Sequence, residues 1–103
     1  MKYRIVYLET ALFDVRELRY VIQEIYKSPV TAERYVLGLA DEIKRLSILA
    51  ESLPIQSIEG LMRYGQAVRR LNYKKMAVIY TVHDDLVYIH RIIPASVITS
   101  SSD

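Results

Sequence analysis

Apolar and polar positions alternate or recur along this chain in three distinct ways, and each predicts a different element. Near the start, Tyr3, Ile5 and Tyr7 alternate with Arg4, Val6 and Leu8, which predicts a strand largely buried on both faces. The period then lengthens: Val15, Leu18, Ile22 and Ile25 share one face of a helix over Ala11 to Tyr26, with Thr10 as its expected N-cap. Ser28-Pro29 supplies a second cap and a first-turn proline, and Ala32, Val36, Leu39, Ile43, Leu46 and Ala50 mark the apolar face of a second helix that ends before Pro54. Two helices joined by so short a turn predict an antiparallel hairpin. Pro54 to Gln66 has weak periodicity and two glycines, and is read as a loop with a short helical turn near Ile58 to Tyr64.

The period then returns to that of strands. Val68 to Tyr73, Met76 to Val82 and Leu86 to Ile92 are apolar runs separated by Lys74-Lys75 and by His83-Asp84-Asp85, spacings that fit tight hairpins. The expected architecture is α+β: an N-terminal strand, an antiparallel helical hairpin, then a three-stranded antiparallel meander, with the helices on one face of a four-stranded sheet. A single domain over residues 1–98 and a frayed tail over 99–103 account for all 103 residues.

Composition narrows the chemistry. There is no cysteine, which removes disulfides and thiolate chemistry and suits a reducing, cytoplasmic setting. The two histidines lie seven residues apart on different strands without acids at ligand spacing, so neither metal nor cofactor is expected. No stretch approaches the length of a membrane span. The net charge of +2 is small, but it is unevenly placed: residues 1–60 hold eight bases and nine acids, residues 61–103 six and three. Arg63, Arg69, Arg70, Lys74 and Lys75 follow one another with no acid among them, so the meander is a basic platform fit for a polyanion or an acidic protein segment.

The element order, with VRRL, a YKK turn, an AVIYTV strand and a DDLVYIHRI strand, resembles the RelE/ParE superfamily of bacterial type II toxins across nearly the whole chain. That resemblance implies a cognate antitoxin that wraps and neutralises the chain. RelE-like members cut mRNA on the ribosome, whereas ParE-like members poison DNA gyrase without bond-breaking chemistry of their own. Messenger RNA cleavage is the first expectation here; gyrase inhibition, or a decayed toxin that binds only its antitoxin, are the alternatives.

Cleavage without a metal requires an acid and a base at the ribose and fixed positive charge at the phosphate. His90 and Arg91 are the candidate catalytic pair, with Arg69, Arg70, Lys74 and Lys75 binding flanking phosphates. Each has a plainer reading: His90 as a half-exposed strand histidine bonded to a neighbour, Arg91 as the partner of a helix acid. Strict alternation sets Leu86, Tyr88, His90 and Ile92 on one face and Arg91 on the other, so the pair meets only if a bulge intervenes. Where catalytic relatives carry basic, aromatic or histidine side chains, this chain has Met76-Ala77 and Ile93-Pro94-Ala95-Ser96, none of which transfers protons.

Overall fold

The computed structural model describes residues 2–98; the tail expected to fray lies outside them. The elements follow in the expected order: β1 (Arg4–Tyr7), α1 (Glu9–Tyr26), α2 (Pro29–Lys44), a single turn α3 (Leu46–Leu49), a 3-10 helix (Glu59–Tyr64), β2 (Arg69–Tyr73), β3 (Met76–His83) and β4 (Leu86–Pro94). The strands form one sheet in the order β1-β4-β3-β2. β2, β3 and β4 are the antiparallel meander, while β1 runs parallel to β4, so the sheet is mixed. A parallel pairing needs a crossover, and the helical hairpin between β1 and the meander provides it.

Local chemistry explains most boundaries. Ser28 caps α2 by accepting the Thr31 backbone N–H at 3.1 Å, and Pro29 occupies the first turn where its missing N–H leaves no bond unmade. Lys27 closes α1 in the left-handed conformation, at φ 52°. The expected Thr10 cap is corrected: α1 starts two residues earlier, at Glu9, Leu8 precedes it without a side-chain cap, and Thr10 Oγ1 donates across to the His90 carbonyl at 2.7 Å. β1 is also less buried than its alternation suggested, because it is an edge strand and none of its residues is fully enclosed.

The main core lies between the helices and one face of the sheet. Ala11, Leu39, Ile43 and Leu46 meet Leu71, Val78, Tyr80, Val87, Ile89 and Ile92 there. Tyr80 is enclosed completely, and its hydroxyl donates to the Ala50 carbonyl at 2.7 Å, the partner a buried phenol requires. Burial pushes its pKa up to about 12. A smaller cluster covers the opposite face, where Leu61 of the 3-10 helix and Val68 pack on Ala77 and Ile79.

Candidate functional site

β4 contains a bulge, and that bulge decides the geometry of the site. Tyr80 pairs with Ile89 and Ile79 pairs with Arg91, which leaves His90 as an extra residue with nothing opposite it. Alternation therefore resets at this point. Val87, Ile89 and Ile92 all face the helices, while His90, Arg91 and Ile93 lie towards the 3-10 helix. The face assignment made from strict alternation is thus corrected for Ile92, and His90 and Arg91 come together beside Tyr64. The Tyr64 ring centroid is 5.9 Å from that of His90.

The two candidate catalytic side chains are both engaged. Arg91 forms a two-pronged ion pair with Asp14 of α1: Nε donates to Oδ2 at 2.6 Å and Nη2 to Oδ1 at 3.0 Å. The same Asp14 Oδ2 accepts the Ile92 backbone N–H at 2.9 Å. The reason is topological. β1 covers β4 only as far as Ile89, so beyond it the edge of β4 has no strand neighbour, and the Asp14 carboxylate satisfies the exposed ladder instead. The Asp14 side chain is only 9% exposed, so the arginine is the partner that compensates its burial. Hydrogen bonding to Asp14 raises the Arg91 pKa above its ordinary value.

His90 is tied through Nε2 to the Thr81 hydroxyl at 2.8 Å, and the same hydroxyl lies 3.1 Å from Nε2 of His83. Thr81 is 2% exposed, so the imidazoles satisfy a buried polar atom. Burial, with the neighbouring His83 second, lowers the His90 pKa and keeps the ring neutral near pH 7. His83 in turn packs edge-on against Tyr88, with centroids 5.2 Å apart.

The basic platform divides into bound and free members. Arg69 is turned inward, its Nη1 donating to the carbonyls of Glu51 and Leu53, where it fastens the loop that follows α3. Among the described residues the Arg70 side chain donates only to the Asn72 side chain, at 2.7 Å. Lys74 lies over the rings of Tyr35 and Tyr73, 5.5 and 5.6 Å from their centroids, and Lys75 is exposed at the same turn. Of the positions lacking proton-transfer groups, Met76 and Ala77 are buried and Ile93 and Ala95 pack against the smaller cluster, while Pro94 and Ser96 are exposed.

Three contributors escaped the sequence reading: Asp14, Thr81 and Tyr64. Asp14 carried a signal, since aspartate is a weak helix former yet stands in mid-helix beside the apolar stripe of Ala11, Val15 and Leu18. Thr81 and Tyr64 carried none, because their roles depend on the bulge. Among the described residues no group of three or more metal-binding side chains converges, and no helix is long and apolar enough to cross a membrane.

Two solved structures share this architecture. A chain of the chromosomal ParDE TA system from P. aeruginosa superposes with a TM-score of 0.70, covering 90% of this chain and 96% of that one at 16% identity. A chain of the toxin-antitoxin complex RelBE2 from Mycobacterium tuberculosis gives a TM-score of 0.63, covering 91% and 99% at 16% identity. No protein-family model and no curated protein matches the sequence.

Proposed function

We propose that this chain, which carries the fold of the RelE/ParE superfamily toxins, is the toxin of a type II toxin-antitoxin pair and acts in the ParE manner, by binding DNA gyrase without cutting RNA. The observation that carries the second half is the Arg91–Asp14 pair. A guanidinium already held by two hydrogen bonds to a nearly buried carboxylate has its charge compensated, and cannot turn to a scissile phosphate without stranding that carboxylate. Arg69 is withdrawn from ligand contact in the same way, by loop carbonyls.

A protein partner is supported by the outside of the helical hairpin. Tyr20, Ile25, Tyr26, Val30 and Leu37 are all more than half exposed, apolar surface that suits an antitoxin or a protein target better than water.

One observation favours the other reading, ribosome-dependent mRNA cleavage. The bulge gathers Tyr64, His90 and Arg91 within reach of one another, and a neutral His90 is in the protonation state of a general base. The two activities separate cleanly in vitro. Purified protein added to a gyrase supercoiling assay is expected to inhibit it, and added to translating ribosomes to leave the message intact. Cleaved message, abolished by His90→Gln, with undisturbed supercoiling, would replace the proposal with the ribonuclease reading.

A further inference from the structure

His83 and His90 lie seven residues apart and on different strands, a spacing at which the sequence alone suggests no metal. The hairpin cancels that separation. Thr81 pairs opposite Tyr88 in the ladder of β3 and β4, next to the core-facing pair Tyr80 and Ile89, so Thr81, His83, Tyr88 and His90 share the face of the sheet turned away from the helices. Both imidazoles then aim the same atom, Nε2, at one point: the Thr81 hydroxyl, 2.8 Å from His90 and 3.1 Å from His83. The two nitrogens are therefore within two hydrogen-bond lengths of each other.

The buried Thr81 hydroxyl has one proton, and giving it to one imidazole leaves that Nε2 unprotonated while the other ring donates back. An unprotonated Nε2 is a common metal donor, and the second ring reaches the same form by carrying its proton on Nδ1 instead. His83 is exposed at the end of β3, so a hydrated ion can reach the pair, and its ring can turn from the shared hydroxyl to a shared ion, whose nitrogen donors stand about 2.0–2.1 Å from it. Tyr64 packs beside His90 and Tyr88 beside His83, which limits how far either ring can swing away. The donor set selects the ion. Imidazole nitrogen suits zinc, copper and nickel, whereas magnesium and calcium require oxygen ligands, and no acid among the described residues joins the two rings. Arg91, the neighbouring cation, has its charge met by Asp14, which reduces its repulsion of an ion.

We propose that His83 and His90 form a two-histidine site for a divalent transition metal of the zinc and copper class, with both Nε2 atoms as ligands and water completing the shell. Two protein ligands make an exchangeable site, unlike a structural one, whose four positions the protein fills. Bound there, the ion ties the end of β3 to the bulge of β4 and takes the His90 lone pair that a general base would use. The site does not depend on the toxin reading.

The test uses tag-free, chelator-treated protein titrated with zinc chloride, with the imidazole nitrogen resonances followed by NMR. One zinc per chain is expected to move the Nε2 resonances of both histidines together and to raise the melting temperature, since the unfolded chain does not hold the two rings at one point. His83→Gln and His90→Gln should each weaken binding by at least the roughly tenfold that loss of an outer-shell partner costs. The double variant should be little weaker than either single one, because one ion needs both rings. Glutamine can still hydrogen bond to Thr81, so the variants should keep the amide spectrum of the fold; the wild-type shifts decide the matter even should a variant misfold. Magnesium at the same concentration should leave both rings unmoved. Shifts confined to one ring, additive losses in the double variant, equal shifts with magnesium, or a zinc-induced dimer in sedimentation, in which the ion bridges two copies, would each overturn the proposal, as would rings unmoved by millimolar zinc.

Discussion

Arg91 reaches round the open end of β4 to Asp14, and this contact joins α1 to the sheet just where β1 stops. Truncation to Arg91→Ala strands the Asp14 carboxylate, so thermal or urea unfolding should register a loss of about 1–3 kcal/mol. An arginine kept only for a ligand would leave stability unchanged. His90 makes a second prediction, through pH. Its folded pKa lies below the ordinary 6.5, so between the two values the unfolded chain binds more protons than the folded one. The contribution is fully present above the unfolded pKa and is lost as pH falls through 6.5 towards the folded value. Urea midpoints taken from pH 7.5 to 5 should therefore fall, and His90→Gln should flatten that fall; an unchanged slope would show that His90 does not titrate in this way. These side chains were named from the sequence, yet their orientation was not legible there. One extra residue in β4 reverses the alternation that follows it, and nothing in the run of Leu86 to Ile92 advertises it.

At the scale of elements, the hairpin of helices and both strand turns follow from short-range rules the sequence states openly. Ser28-Pro29 starts α2, and the two-residue spacings after Tyr73 and His83 close hairpins whose first residues, Lys74 and Asp84, adopt φ of 53° and 56°. What depends on contact between elements was hidden. Gly38 costs α2 helix propensity, but a Cβ there would run into the Tyr73 hydroxyl, so it is the point where β2 approaches α2. Gly38→Ala should consequently destabilise the protein, against the gain of about 1 kcal/mol that helix propensity alone would give. The loss should shrink when combined with Tyr73→Phe, which removes the nearest atom, and a double-mutant cycle of unfolding energies measures that coupling. Purely additive effects would mean that the two residues do not meet. Mid-helix Asp14 and the parallel pairing of β1 belong to the same class, since both are settled by where distant segments lie in space.

For the whole molecule, a sheet covered by a helical hairpin on one face and by a small second cluster on the other leaves two features turned outward: apolar side chains on the hairpin and cations along β2. Both suit protein partners, while the two residues best suited to RNA chemistry are held in internal bonds. The fold and its likeness to the toxins were legible because they rest on element order and period, which a single sequence carries. The choice between activities was not, because it turns on whether Arg91 is free. The decisive measurement is induced expression in growing bacteria, with DNA synthesis, SOS induction and messenger RNA integrity followed over the first minutes. Early replication arrest and SOS induction with intact messages are expected of a gyrase poison; prompt fragmentation of messenger RNA with replication still running would rule that action out.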